Sequence, residues 1–403
     1  MNLNLLAFAV PFFIGIMLLE YYVSVRRGKQ YFHFDEAIAN INVGIAERLS
    51  DVFATGVFYL VFVWIHKHYA IFDISSGPVT FIFLFLVTDF VWYWYHRCGH
   101  EVNIVWSAHV VHHQSEDFNF TVAARITVIQ ATARAMFWSI LPLIGFSPSM
   151  TAIMLLIHGT YPFFTHTQMV GKLGILEYFM VTPSHHRVHH SSNPAYLDKN
   201  YGDVLIIWDK LFGTFAKEEE KPVYGLTKSL KSYSFLWQHF HFMLEMAIAF
   251  KRETGFKNKM KVLFGKPDFI DPRIRLYLEK KLLRQTALQH PSPILYRYIS
   301  VQTIITLVSL FFVILFEHYQ STLQLCIAAL FIVVSVINTG AMLEQKKWNF
   351  HLEYSRTFLL GFFMYTFPPF HWIAIFVMLV IAVSMFFYKT ISERYYHILY
   401  QPA

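Results

Sequence analysis

An apolar run from Val79 to Tyr95 passes directly into HRCGHE, and a chain built around such a junction has few folds open to it. About 20 residues at 1.5 Å each cross the hydrocarbon core of a bilayer. Comparable runs extend over Leu3–Val25, Val52–Ile71, Leu295–Phe316 and Thr322–Leu343. The 403 residues are 55% hydrophobic and only 15% charged, with a mean hydropathy of +0.41, which is too apolar for an ordinary soluble globule. The expected fold is all-α, a multi-pass transmembrane helical bundle. A histidine-rich cap on it is expected to face the cytoplasm and, from the number and spacing of its histidines, to hold a dinuclear metal site.

Leu3–Val25 has no preceding basic residue and no small-residue cleavage site after it, so it is expected to stay as a first helix. Arg26, Arg27 and Lys29 hold its end in the cytoplasm by the positive-inside rule. Residues 32–51 mix charge with apolar side chains and read as an interfacial segment before the Val52–Ile71 span. The FDISSGPV connection lacks Lys and Arg and belongs on the far side, so the next span returns to the cytoplasm and delivers His96. Between Ile126 and His166 two apolar halves break around GFSPS (Gly145–Ser149), as in a short hairpin. Residues 167–295 form a polar cap in which Tyr233–Phe250 reads as an interfacial helix. Glu344–Arg356 is basic and cytoplasmic, and a pair of helices broken by Pro368 and Pro369 after Phe367 ends the bundle. The division is 1–88 N-terminal spans, 89–227 catalytic region, 228–295 cap and 296–403 C-terminal spans. The net charge of +7 fits loops lying on anionic lipid, with no nucleic acid as partner. Cys98 and Cys326 give no disulfide framework, as suits a reducing compartment.

The chemistry lies in three boxes: His96 and His100 in HRCGH; His109, His112 and His113 in HVVHH; His186, His189 and His190 in SHHRVHH. Residues four apart stack on one helix face, so each box is expected to aim its rings at one point. Neutral imidazole binds first-row transition metals without first losing a proton from the ligating nitrogen. Eight such groups exceed the four of a single zinc and suit two metals. Asp89, seven residues before His96 inside an apolar span, is a candidate counter-ion, and it is grouped with Glu101 and the histidines as candidate catalytic residues. Glu101, Glu116, Asp117, Asp203 and Asp209 are candidates to accept the outward N–H of ligating histidines. His185 stands open between ligand and neighbour of a ligand, and His158 between support and core packing. Isolated histidines (His33, His66, His68, His239, His241, His318, His351) read as interfacial or surface residues. Trp92, Tyr93 and Trp94 read as an interfacial aromatic belt more than a tunnel wall, and Arg125 and Arg134 as partners of headgroups or carboxylates.

Rival chemistries fit less well. A zinc metalloprotease needs HExxH, and HRCGHE has its glutamate outside the pair. A membrane metal-ion transporter would also carry intramembrane histidines and acids, but near the midplane on broken helices, whereas these boxes follow span ends.

The HRxxHE, HxxHHxSED and PSHHRVHH boxes are followed by DKNYGDVLIIWDKLFGTF (Asp198–Phe215) and VYGLT (Val223–Thr227). Together they resemble the fatty acid hydroxylase and sterol desaturase superfamily, and within it most closely the alkylglycerol monooxygenase branch, over about residues 89–227. The resemblance implies an integral-membrane non-haem diiron monooxygenase that uses O2 to hydroxylate a lipid C–H bond. In the ether-lipid branch the product collapses to a fatty aldehyde and glycerol, with tetrahydrobiopterin or another external reductant. The ligands implied are the eight histidines above and His166 of THTQ. Recombinant material can carry zinc in place of two iron ions. A sterol, fatty-acyl or carotenoid hydroxylase or desaturase of the same superfamily is the alternative. HPSP at His290 is not the haem-binding HPGG stretch, so no fused cytochrome b5 is expected and a separate electron donor is implied. The expected location is a bacterial inner membrane or the endoplasmic reticulum.

Overall fold

The computed structural model describes residues 3–283 and 292–400; His290 of the HPSP stretch lies outside them. Described regular structure is helical, with two isolated β-bridges, Met180 to Leu205 and Ser191 to Tyr224. Six helical segments are long and apolar enough to cross a membrane: Leu5–Arg26, Phe34–Tyr69, Pro78–Glu101, Pro293–Leu315, Thr322–Leu343 and Pro368–Met385. The chain is an integral membrane protein.

The largest departure from expectation is Phe34–Tyr69, one unbroken helix of 36 residues in place of an interfacial segment and a separate span. At 1.5 Å per residue it is about 54 Å long, more than a bilayer core needs. No proline interrupts it, and its two halves meet different surroundings. Ile38, Val43, Ile45 and Leu49 are buried in the protein, whereas Val57, Leu60 and Trp64 face outward. Gly44 sits where the first half meets the box region: a Cβ there would lie 2.8 Å from the Ala124 Cβ.

Pro78–Glu101 also runs on past its expected end at Tyr95, so His96 and His100 occupy the same continuous helix. Val102 is extended and starts a new helix, Asn103–His109, which turns the second box back onto the first. The Asn103 side chain ties that corner to the Val262 carbonyl at 2.9 Å.

The hairpin forms as expected, from Gln130–Trp138, Ile140–Ile144 and Pro148–Thr160. Ser147 caps the returning helix by accepting from the Met150 N–H. Gly145 makes the turn at φ +126°, and a Cβ on it would sit 2.0 Å from the Phe72 carbonyl oxygen. Ile71 and Phe72 donate N–H groups to the Leu143 and Ile144 carbonyls, so the two turns that lack Lys and Arg meet at one end of the bundle.

Phe235–Arg252 is the helix expected within the cap. It is no loose interfacial element: Trp237, Phe242 and Met246 pack on Val43, Val110 and Val111. His239 and His241 are therefore buried, which corrects their reading as surface histidines. Each donates an Nδ1 hydrogen to a carbonyl four residues earlier, Phe235 and Trp237 respectively.

Gly145→Ala should lower thermal stability in detergent by roughly 2 kcal/mol or more, since it meets both forbidden φ and a backbone oxygen. Gly56→Ala, where a Cβ meets nothing within 4 Å, should be neutral or stabilising by up to about 1 kcal/mol. Melting curves of the two variants side by side check the pair.

Candidate metal centre

Nine histidines converge from four regions of the chain. His96 and His100 stand on Pro78–Glu101, His109 ends Asn103–His109, and His112 and His113 lie in the tight turn that follows. His166 follows the Tyr161–Thr165 turn, while His186, His189 and His190 come from Pro183–His189 and its cap. They form two groups whose nitrogen atoms lie within 4.8 Å of one another: His96, His100, His109, His113 and His189 in one, His112, His166, His186 and His190 in the other.

Each triple box is thus divided, against the expectation that it aims at one point. Neighbouring residues on a helix differ by about 100°, so H-x-x-H-H cannot converge. The four-apart pairs, His109 with His113 and His186 with His190, each stay in one group, and the third ring of each box turns into the other.

The hydrogen bonds behind the rings determine what the rings present. His96 donates Nδ1–H to the Tyr201 carbonyl at 2.8 Å, His189 to Lys199 at 3.0 Å, His112 to Arg125 at 3.2 Å and His166 to Pro162 at 2.6 Å. A carbonyl only accepts, so these rings carry hydrogen on Nδ1 and a bare lone pair on Nε2. Behind these four rings the backing groups are carbonyls, in place of the carboxylates expected from the sequence.

The inward nitrogens fit a cation. His166 Nε2 lies 3.1 Å from His112 Nε2, two lone pairs facing each other with no hydrogen between them. His109 Nε2 lies 3.1 Å from both His96 Nε2 and His113 Nε2. Buried His100 Nε2, His189 Nε2 and His190 Nε2 have no hydrogen-bond partner among the described residues. Orphaned polar atoms of this kind are rare unless something else satisfies them, and an all-imidazole donor set suits iron or zinc. Burial, and then the neighbouring imidazoles, hold His109, His113, His186 and His190 well below the ordinary imidazole range. His166 is pushed down to about 3 by burial. These rings are neutral at pH 7 with their lone pairs free.

The strap over the centre, Asp198–Phe215, supplies the Lys199 and Tyr201 carbonyls. Asp198 and Asn200 adopt φ of +59° and +56°, which turns the backbone so that both carbonyls face the rings. Asp209 accepts the N–H groups of Tyr201 and Gly202, both at 2.7 Å. Asp89 accepts from Val204, Leu205 and the Trp208 indole. Asp89 therefore braces the strap instead of touching the imidazole cluster. His158 Nδ1 lies 2.7 Å from Asp203 and 3.6 Å from Asp89, all three buried, so His158 supports this network.

The other expected carboxylates stand further off. Glu101 pairs with Arg97 at 3.0 Å, Asp117 with His33 at 2.6 Å, and Glu116 accepts from Ser229. His185 accepts the Thr182 N–H in a capping box and belongs to neither group. Arg125 meets no headgroup: fully buried, it donates to Val111, Asn40 and Gln114 while its own carbonyl holds His112. Glu20, which the motifs do not single out, accepts from Phe120 N–H and Thr167, next to His166. The signal that could have found it is a carboxylate inside an apolar run.

A narrow cavity of about 70 Å³ adjoins both groups, with His96, His109, His112, His166 and His186 in its wall. Trp92 lines it and stacks near His158, so this residue belongs to the chamber and not to a lipid-facing belt.

Asp209→Ala should weaken metal retention about 10- to 100-fold by loosening both carbonyls, measured by elemental analysis after dialysis against chelator. Metal-free protein should lose stability as pH falls below about 6.5: unfolded histidines take up protons there, while the folded ones resist until far lower pH, so the unfolded state gains. Melting temperature against pH, with and without metal, checks the sign.

The fatty acid hydroxylase family model matches residues 81–214, the stretch that carries all nine histidines. Human alkylglycerol monooxygenase is 36% identical over 350 residues, covering 84% of this chain and 77% of the relative. The Danio rerio alkylglycerol monooxygenase is 31% identical over 359 residues, covering 87% and 80%. Ornithine lipid hydroxylase OlsE of Rhizobium tropici is 30% identical over 138 residues, covering 32% and 40%. No solved structure matches significantly. The long likeness runs well beyond the histidine boxes, and the chain belongs to the alkylglycerol monooxygenase family.

Proposed function

We propose that this protein is a membrane diiron monooxygenase that hydroxylates the alkyl carbon next to the ether oxygen of alkylglycerols. The observation that carries the reading is the convergence of two groups of inward imidazoles, lone pairs bare, on one cavity in a chain of this family. His96, His100, His109, His113 and His189 would hold one iron; His112, His166, His186 and His190 would hold the other. The catalytic groups are thus the histidines themselves, with Asp89 a positioning residue and Glu101 outside the cluster. When bound, the iron pair supplies dioxygen activation.

One oxygen atom of O2 enters the C–H bond and the other leaves as water, using two protons and two electrons. Tetrahydrobiopterin, or another external two-electron donor, supplies the electrons. The hydroxylated product is a hemiacetal, whose carbon–oxygen bond breaks to give a fatty aldehyde and glycerol. The protein's share is placement and exclusion. The Lys199 and Tyr201 carbonyls hold His189 and His96 in one orientation, and the strap and Trp92 wall off water. The adjoining ether oxygen makes the reacting carbon the easier one to oxidise. The boxes face the cytoplasm in this reading, and what supports it is that the FDISSGPV turn, free of Lys and Arg, lies at the opposite end of Pro78–Glu101.

Iron-loaded protein given 1-O-alkylglycerol, O2 and tetrahydrobiopterin should release fatty aldehyde. His189→Ala should reduce turnover at least about 100-fold while the bundle stays folded, as removal of a ligand does. If wild-type protein releases no aldehyde yet hydroxylates a sterol or fatty acid, the alternative within the superfamily is right.

A further inference from the structure

The cavity beside the histidines has a second set of polar groups that dioxygen chemistry does not use. Tyr95 stands on the histidine-bearing helix, and Gln130 and Arg134 lie four apart, hence on one face, of the hairpin's first helix. All three line the cavity. Tyr95 is 2% exposed and Gln130 5% exposed; the two side chains lie beside each other, yet neither the Tyr95 hydroxyl nor Gln130 Oε1 makes a hydrogen bond of normal geometry among the described residues. Arg134 is held in place by Glu47 at 3.4 Å, and Glu47 is itself fixed by the Arg48 guanidinium at 2.6 Å.

A buried hydroxyl and amide that do not complete a well-formed hydrogen bond with each other, beside an anchored guanidinium, form a built polar wall with capacity for a further partner. Apolar Trp92, Ile126 and Phe163 line the cavity with them, and Thr165 and Asp203 are the other polar side chains in its wall besides the imidazoles. We propose that Tyr95, Gln130 and Arg134 bind the polar head of the ether lipid and so set both its orientation and the selection for a glycerol ether. The proposal rests on the ether-lipid reading above. A glycerol head offers two hydroxyls, each donor and acceptor. The Gln130 carbonyl accepts from the 2-hydroxyl and the Tyr95 hydroxyl donates to it, while the Arg134 N–H groups donate to the terminal hydroxyl. With the head at this wall, the ether oxygen and the first alkyl carbon enter the apolar part of the cavity next to the imidazoles. A site built to hydrogen-bond a substrate hydroxyl rejects an analogue lacking it, because its buried groups are then left unpaired.

The test compares 1-O-hexadecylglycerol with the hexadecyl ether of 1,3-propanediol, which lacks the 2-hydroxyl, in wild type, Tyr95→Phe and Gln130→Met. Wild type should favour the glycerol ether at least about tenfold in kcat/KM. Each variant should raise KM for it about tenfold with kcat changed less than about threefold, leave the deoxy substrate nearly unaffected, and keep the wild-type metal content. Equal losses on both substrates, or unchanged discrimination, would overturn the subsite while leaving the reaction intact. A KM shift confined to tetrahydrobiopterin would overturn it by assigning these groups to the reductant. Failure of wild type to cleave either ether would instead overturn the ether-lipid reading, and this proposal with it.

Discussion

The structure depends on backbone carbonyls accepting the outer N–H of buried imidazoles. A neutral histidine has one hydrogen and one lone pair, and which nitrogen keeps which is decided by the partner behind the ring. With Tyr201, Lys199, Arg125 and Pro162 carbonyls behind His96, His189, His112 and His166, the hydrogen is held outside and the lone pair inside. These carbonyls come from three separate stretches of chain, so the centre is only as ordered as the loops that carry them. That explains why so much of the polar structure consists of braces on those loops: Asp209 and Asp89 under the strap, and Arg125 fixing its own turn from Val111, Asn40 and Gln114.

Helical periodicity explains the remaining arrangement. The H-x-x-H-H spacing carries a four-apart pair that remains together and one ring about 100° away from its neighbour. Two such boxes facing each other exchange their odd rings, His112 one way and His189 the other, and interlock the two groups. A box with only the four-apart pair, like His96 and His100, contributes to one group alone. The cluster is therefore five and four, and His166 from outside the boxes completes the smaller group.

Composition and local spacing make much of this legible in the sequence. The apolar runs locate most spans within a few residues, GFSPS locates the hairpin turn, and the boxes name eight of the nine rings, with His166 coming from the family resemblance. What stays hidden is non-local. Nothing near His96 in sequence says that Tyr201, more than a hundred residues away, supplies its hydrogen-bond acceptor. Carbonyls carry no residue signature, whereas carboxylates do, so a reading of residue types favours the wrong backing groups. The single long helix at Phe34–Tyr69 reads as two pieces because its charged residues suggest an interface. In the structure Glu47 pairs with Arg48 and Arg134 inside the fold, and a helix can continue through them.

Carboxylates inside apolar runs take on a different meaning in this light. An ionisable group within a span is functional by default, yet Glu20 and Asp89 do their work away from the imidazoles. Glu20 takes the Phe120 N–H and the Thr167 hydroxyl, at the segment leading from His113 and at the residue following His166. Asp89 takes the Val204 and Leu205 N–H groups of the strap. Both acids stand on membrane helices, and both accept from the polar layer that carries ligand-bearing loops. A loop N–H that lost such a partner would be left unsatisfied in a dry interior, which is expensive. The acids thus fasten the loops to the spans, so that the bilayer-embedded helices set the positions of the imidazoles.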